Sequence, residues 1–454
     1  MNIIIIGCGK VGRTLAELLA AENHNITLVD ESPARIQAIP ESLDALRIVG
    51  NGASLKTLRE ALVEEADILI AVTGQDELNL LCCLIAKKAG NGNCHTIARV
   101  RNPIYNRELD FIKEQMGISM IINPELTAAR EISRLLRFPS AIKIDTFAKG
   151  RVELLKFRVR PEFKLSDQPI FQISSINNNN ILVCAVERGN AVSIPSGNFI
   201  LRDNDVLSIV ASPQNAASFF STIGLKTNQV RNALIVGGGK IGYYTASFLL
   251  EMKIDVRIVE IDKENCEKLS DLLPKAMIVH GDGTDRQLLM EEGLAETEAF
   301  VALTNLDEEN VLLSLFAQAH SNAKLVTKVN KISFTDILNN LDIGSVIYPK
   351  YITADYILQY VRAMSNTIGS NVETLYQILD NRAEALEFAI RERSAVTDIP
   401  LAQLKLKKDL LIGCINRNGR VIIPRGQDSI HVGDTVIIVT TQKGLGDIQD
   451  ILRR

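Results

Sequence analysis

Residues 1–30 read MNIIIIGCGKVGRTLAELLAAENHNITLVD. Asn2 to Ile6 is a short, β-branched apolar run, the composition of a fully buried strand. It runs into Gly7, Gly9 and Gly12, which fit the G-x-G-x-x-G pattern, and Thr14 to Ala21 then carries helix formers. A second strand, Asn25 to Val29, ends on Asp30, 23 residues after the first glycine. In that order each part has a physical role. Gly7 allows the tight turn, Gly9 lets a pyrophosphate approach the backbone, and Gly12 lets helix and strand pack closely. The N–H groups at the helix start, around Cys8, Lys10 and Val11, hold the anion, and Asp30 accepts the ribose hydroxyls. The competing reading, a glycine turn that binds nothing, leaves the strand, helix and acid around the glycines unexplained.

The chain does this twice. Residues 232–262 read NALIVGGGKIGYYTASFLLEMKIDVRIVEID, in which Gly237, Gly239 and Gly242 repeat the pattern around Lys240. Glu260 again falls 23 residues after the first glycine, so the chain is a tandem duplication.

The 454 residues allow about three to four domains. A hydrophobic fraction of 46% and a charged fraction of 23% are ordinary for a soluble protein. The net charge of −4 argues against a nucleic-acid partner. No apolar run approaches the ~20 residues that span a bilayer, and Met1 leads straight into a strand rather than a signal segment. The seven cysteines form no C-x-x-C pair or Cys/His ligand spacing, so neither disulfides nor structural zinc are expected, and a reducing cytoplasm is.

After Asp30 the pattern predicts a helix at Pro33–Ile39, a strand at Ala45–Val49, a turn at Gly50–Asn51–Gly52, and a helix carrying Leu55, Leu58 and Leu62. A strand at Ile68–Val72 closes at Thr73, and a helix at Asp76–Ala89 turns Leu80, Leu81 and Leu84 inward. Strand five, Thr96–Val100, carries Arg99 and Arg101 at and beyond its end. Such alternation requires a parallel sheet covered on both faces, with Gly7, Asp30, Asn51, Thr73 and Arg99 gathered at its carboxyl edge. A helix at Tyr105–Met116, a strand at Met120–Ile122 and a helix at Glu125–Leu136, stopped by Phe138–Pro139, follow. In the last of these, Leu126, Ala129, Ile132, Leu135 and Leu136 form an apolar stripe that predicts a dimer or interdomain seam.

Residues 151–222 change character. They show β runs at Leu154–Val159, Ile181–Glu187 and Val206–Ala211, turn clusters at Asn177–Asn180 and Pro195–Gly197, and a closing helix at Gln214–Ile223. Lys226–Arg231 reads as a linker, after which the order returns: Gly281–Asp282–Gly283, Thr304, Asn310, an amphipathic helix at Ala354–Met364, and a second small module from Ala385. The expected fold is α/β, with two Rossmann-like parallel-sheet domains (1–140 and 231–365) alternating with two small α+β domains (141–225 and 370–454).

Where the first copy has Arg99 and Arg101, the second has Lys328 and Asn330. Two guanidinium forks can clamp a terminal phosphate, which suits the first copy to ATP and the second to a dinucleotide, a weaker ligand or none. The alternative is an exposed strand end with solvated charge. Asp30 and Glu260 both repel a 2′-phosphate, so NADP is not expected. A dehydrogenase needs a proton donor or acceptor beside the hydride-transfer carbon. His24, His95, His280, His320 and His431 are expected in turns, loops and strand ends without an acid to orient them, and no Walker motif, metal-ligand set or nucleophile elbow is present. Asp307–Glu308–Glu309 reads as a helix start rather than a cation site. Nucleotide binding without catalysis fits best; the rivals are an NAD-dependent oxidoreductase and a structural scaffold with vestigial pockets.

Four features resemble the KTN/RCK family of cytoplasmic regulatory domains of potassium channels and transporters. They are IIIIGCGKVG with Asp30, VGNGAS with HGDGTD in the second copy, AVTGQDELN with ALTNLDEEN, and the small module with its Pro and Gly. The resemblance covers the whole chain as two complete repeats. It implies a peripheral subunit at the cytoplasmic face of the bacterial inner membrane, beneath a Trk-type potassium transporter and regulated by NAD(H) and by ATP or ADP. It also implies a tetramer built from dimers, four chains forming a ring of eight large domains. On this resemblance Gly7, Gly9 and Gly12 are the phosphate turn, Asp30 is the ribose acid, Asn51 and Thr73 lie near the adenosine or phosphates, and Arg99 and Arg101 take the outer phosphates. Gly237, Gly239, Lys240, Gly242, Glu260, Asp282 and Thr304 follow in the second copy. Asn51 departs from the Asp usual in the family, which the second copy keeps as Asp282. The mechanism implied is a population shift, in which nucleotides of different phosphate content favour different angles between paired large domains.

Overall fold

In the computed structural model residues 1–30 form β1 (Asn2–Ile6), α1 (Lys10–Ala20) and β2 (Asn25–Asp30). The structure describes residues 1–454 apart from 91, 103–104, 106–107, 138–141, 148–150, 177–180, 190, 225–229, 331–337, 339–340, 342, 367–371, 379–381, 443–444 and 454. The Phe138–Pro139 stop, the Asn177–Asn180 turn cluster and most of the Lys226–Arg231 linker therefore lie outside the described residues.

The first large unit continues with α2 (Pro33–Gln37), β3 (Ala45–Val49), α3 (Leu55–Glu60), β4 (Ile68–Ala71), α4 (Asp76–Ala89), β5 (His95–Arg99), α5 (Leu109–Met116), β6 (Met120–Ile122) and α6 (Pro124–Arg137). Its six strands are parallel in the order β3-β2-β1-β4-β5-β6. The chain runs outward from β1 in both directions, which opens a crevice between the carboxyl ends of β1 and β4. Successive side chains of a strand point to opposite faces. Ile3 and Ile5 accordingly enter one core with Leu15 and Leu19, while Ile4 and Ile6 enter the other with Leu58, Cys82 and Ala86. That double burial is why β1 is apolar throughout.

Two side-chain expectations fail here. Leu62 lies beyond α3 in left-handed backbone (φ 59°) and is 54% exposed, leaving Leu58 and Thr57 as the buried residues of that helix. The inward face of α4 is Asn79, Cys82, Cys83 and Ala86, with Leu81 exposed. Small side chains let this helix lie close on the sheet, and all seven cysteines are free and buried, packing as small hydrophobes.

The first small unit is an antiparallel sheet, β10-β9-β11-β8-β7, built from β7 (Lys143–Phe147), β8 (Val152–Arg158), β9 (Ile181–Arg188), β10 (Ala191–Ser193) and β11 (Val206–Ala211). It carries α7 (Ile170–Ile176) and α8 (Pro213–Thr222). The sequence shows β8, β9 and β11; β7 mixes polar and apolar residues, and β10 has three residues, so neither announces itself.

The second large unit comprises β12 (Asn232–Val236), α9 (Lys240–Glu251), β13 (Asp255–Glu260), α10 (Lys263–Leu272), β14 (Met277–His280), α11 (Arg286–Glu291), β15 (Ala299–Ala302), α12 (Asp307–His320), β16 (Lys324–Lys328), β17 (Ser345–Ile347) and α13 (Pro349–Asn366). Its order, β14-β13-β12-β15-β16-β17, is that of the first. The second small unit, β18 (Val372–Ile378), β19 (Ala383–Ala389), β20 (Leu410–Arg417), β21 (Arg420–Ile422) and β22 (Thr435–Thr440), runs β18-β19-β22-β20-β21 and likewise matches its counterpart. The fold is thus two Rossmann-like parallel sheets alternating with two small antiparallel sheets.

The apolar stripe of α6 is an interdomain seam. α6 leaves its own sheet and packs along α9, so that Ala128, Ile132, Leu135 and Leu136 share a core with Ala246 and Leu249. Reciprocally, α13 packs on α1, placing Ala354, Ile357, Leu358 and Val361 against Leu15 and Leu19. Each fully buried Leu or Ile contributes roughly 1.5–3 kcal/mol. The Arg362 Nε of α13 donates to both carboxylate oxygens of Glu22 at 2.9 and 3.0 Å, closing this second contact. The small sheets also pack face to face, with Val152, Leu154, Cys184 and Val210 meeting Ala385, Cys414, Ile437 and Val439.

Candidate nucleotide site

The glycine loop is built by two close approaches and one opening. Gly7 turns the chain out of β1 with φ +100°, and a Cβ there would lie 2.9 Å from the Thr73 amide nitrogen. A Cβ on Gly12 would lie 1.9 Å from the Gly7 carbonyl oxygen, which fixes how tightly α1 sits under the loop. Gly9, the N-cap of α1, has nothing within 4 Å of its Cβ position. The second copy repeats all three: Gly237 has φ +105°, Gly242 would place a Cβ 2.3 Å from the Gly237 oxygen, and Gly239 is open.

No side chain caps α1 or α9, and neither has an acid in its first turn, whereas α4 and α12 begin with Asp76–Glu77 and Asp307–Glu308–Glu309. Leading N–H groups of a helix carry partial positive charge and need an acceptor. At α1 and α9 that acceptor can come from outside, with exposed Lys10 and Lys240 beside it.

Asp30 is 6% exposed and stands at the end of β2 as the sequence requires. Its Oδ2 accepts the Cys8 N–H at 2.8 Å and its Oδ1 the Ser32 N–H at 2.9 Å. Glu260 does the same in the second copy, accepting from the Gly238 N–H at 2.7 Å and the Asp262 N–H at 2.9 Å. The acid therefore fixes the loop as well as facing the ribose position. Cys8 beneath it is no nucleophile, because burial and the Asp30 carboxylate push its thiol up to about 12. Asn51 and Asp282 close their turns in the same way. The Oδ1 of each accepts the N–H two residues on, from Ala53 at 2.7 Å and Thr284 at 2.8 Å, so the exchange of Asn for Asp preserves the turn.

Asn79 and Asn310, fully buried, are positioning residues that sequence reasoning noted only as a repeat. The Asn79 Oδ1 accepts the Thr73 N–H at 2.8 Å and its Nδ2 donates to the Arg99 carbonyl at 2.8 Å. Asn310 joins Thr304 to Lys328 in the same way. Strands four and five are thereby stapled at the mouth of the crevice.

Arg99 and Arg101 do stand together at the end of β5, but they are engaged differently. Arg99 donates an Nη2 proton to the Thr73 carbonyl, and its Nε is buried with no hydrogen-bond partner. Burial and the like charge of Arg101 hold its pKa below the usual guanidinium value. Arg101 donates from Nε to the Glu125 Oε1 at 2.6 Å, an ion pair the sequence reading missed because Glu125 begins a different helix. In the second copy the Lys328 ammonium is 6% exposed and donates to the Leu303 carbonyl at 3.2 Å. Burial lowers its pKa. Asn330 takes the place of Arg101, its N–H and Nδ2 both donating to the Asp307 Oδ1 at 2.9 Å.

The expectation that no histidine has an acid beside it is overturned. The His431 Nδ1 lies 2.6 Å from the Asp398 Oδ1 and its Nε2 3.2 Å from the Ser429 Oγ. Asp398 lies 33 residues upstream, brought there by folding. The two side chains are 42% and 46% exposed, so the pair is a surface contact of the second small unit rather than a sheltered catalytic site. His24 also lies 4.0 Å from Glu22.

Family models for the TrkA-N domain match residues 3–124 and 233–349, and those for the TrkA-C domain match residues 154–224 and 385–453. The chain belongs to the TrkA family. It is 32% identical to Trk system potassium uptake protein TrkA homolog 1 of Methanosarcina mazei over 99% of both chains. Identity is 33% to the TrkA homolog of Archaeoglobus fulgidus over the full length of both. It is 32% to TrkA of Halomonas elongata, over 98% of this chain and 96% of that one. Among solved structures, the crystal structure of the GsuK RCK domain matches with a TM-score of 0.63 at 18% identity, over 97% of this chain and 92% of that one. The GsuK channel bound to NAD matches with a TM-score of 0.63, over 97% of this chain and 77% of that one. At that identity the likeness establishes the fold. The TrkA-family relatives are named for potassium uptake and not for a catalysed reaction, in agreement with the reading against an enzyme.

Proposed function

We propose that this TrkA-family chain is the nucleotide-sensing regulatory subunit of a membrane potassium uptake system. It binds NAD(H) and ATP or ADP at the two glycine loops and passes their occupancy to a Trk-type transporter at the cytoplasmic face of the membrane. The observation that carries this is the pair of uncapped, acid-free helix starts at α1 and α9, each opened by a glycine with nothing in front of it and each beside an acid at the end of strand two. The large units 1–140 and 231–365 carry the pockets, and the small units 141–225 and 370–454 join them in a ring of four chains. Because α6 and α13 lock the two large units together, a ligand with different affinity for two seam angles shifts the population between them. Among the described residues no helix is long and apolar enough to cross a membrane, so the signal would travel by contact with the transporter.

The test is thermal stability against ATP, ADP, NAD and NADH. Ligand at a hundredfold excess over its Kd stabilises by about 2.7 kcal/mol. Several nucleotides should raise Tm, Asp30→Ala should remove the first-copy contribution, and Arg99→Ala should weaken ATP more than NAD. No shift with any nucleotide would leave the scaffold reading standing, and turnover of NADH with a substrate would favour the oxidoreductase.

A further inference from the structure

Glu125 stands in the first turn of α6, the helix that crosses from the first large unit to the second. Its Oε1 accepts from Arg101, while its Oε2 is buried without a hydrogen-bond partner. The start of α6 is held against the second glycine-loop helix by the Asn123 Nδ2, which donates to the Tyr244 hydroxyl at 3.2 Å. Across the seam lies Lys328, the counterpart of Arg99, on whose ammonium the Asp307 and Glu125 carboxylates both act. One carboxylate thus faces cations of both copies. The matching first-turn residue of α13 is Lys350, of opposite charge, so the arrangement is not duplicated on the other side.

We propose that Glu125 is a counter-ion shared by the two nucleotide pockets, so that an outer phosphate seated on Arg99 and Arg101 releases it toward Lys328 and weakens anion binding in the second copy. The inference rests on the nucleotide reading above. A phosphate can replace a carboxylate on Arg101 because a guanidinium fork suits either. The displaced carboxylate cannot remain buried and unpaired, and Lys328 is the cation that can take it. Neutralised in this way, Lys328 no longer attracts a phosphate. By linkage, an anion in the second copy weakens the first equally.

The experiment is calorimetric titration of the full chain with ATP, without added divalent cation. The second copy is read alone in Asp30→Ala and, by an independent route, in Gly9→Ala; the first is read alone in Glu260→Ala. Second-copy affinity should be about fivefold lower when the first copy is filled than when it is emptied. Glu125→Gln keeps size and a hydrogen-bond acceptor but removes the charge. It should make the two affinities equal and tighten the first copy. Equal affinities in the natural chain, or a fivefold gap that survives Glu125→Gln, would overturn the proposal. Absence of ATP binding in every variant would overturn the nucleotide reading itself, and this inference with it.

Discussion

Replacing Gly12 by alanine sets a methyl carbon 1.9 Å from the Gly7 carbonyl oxygen and 3.1 Å from its carbon. Both are backbone atoms of the loop, so no side chain can swing away, and α1 must retreat by roughly 1 Å from β1. Overpacking of this kind costs about 1–3 kcal/mol. For a domain of this size that is a Tm loss of roughly 4–12 °C. Gly9→Ala is the control three residues away. Its φ of −72° suits any residue, its Cβ meets nothing within 4 Å, and only the poorer N-cap preference of alanine, at most about 1 kcal/mol, is lost. The same methyl stands where a pyrophosphate must approach the α1 N–H groups, so ADP affinity should fall at least tenfold, about 1.4 kcal/mol. The assay is a circular-dichroism melt of each variant, since the chain has no tryptophan for fluorescence, paired with ADP titration. The expected pattern is crossed: Gly12→Ala loses stability and Gly9→Ala loses ligand. A Gly9→Ala protein that binds ADP as the natural chain does would refute the placement of the phosphates, and a thermally neutral Gly12→Ala would refute the packing argument.

The seam and its protonation give two further expectations. Ile132→Ala removes a fully buried side chain between α6 and the second large unit and should cost about 2–5 kcal/mol, read as a lower denaturation midpoint; a loss under about 1 kcal/mol would mean the α6 contact forms only loosely. His24 has its pKa lowered by burial and by the Met1 ammonium, with Arg362 adding and Glu22 and Asp67 opposing. His95, within 3.4 Å of the Tyr360 hydroxyl on α13 and 3.2 Å of the Ser119 Oγ, is lowered by burial and Lys87, with Asp67 opposing. A histidine held below its ordinary 6.5 stabilises fully above that pH and loses its contribution as the pH falls toward the lowered value, because the unfolded chain takes up the proton first. Tm should therefore fall on acidification from pH ~7.5 to ~5.5, and less so in a His24→Asn, His95→Asn double variant; an unchanged fall would remove the histidines from the cause.

The duplication, the alternating strands and helices, both glycine loops and the acids that close them are legible in the amino-acid order. All of these are local: a strand period, a turn that only glycine can make, and an acid at a fixed distance from it. The apolar face of α6 is legible too, because amphipathic spacing records that a face is buried. It does not record against what, and only packing showed the partner to be α9 of the same chain rather than a helix of another. Distance along the chain explains the remaining surprises. Glu125 meets Arg101 across 24 residues, His431 meets Asp398 across 33, and Glu22 meets Arg362 across 340. Leu62 and Leu81 point outward for a related reason: hydrophobicity predicts which residues favour burial, but the neighbouring helices and sheet decide which faces have room. Where a residue's role is set by its own stretch of backbone, the amino-acid order suffices; where it is set by a partner, the tertiary structure decides.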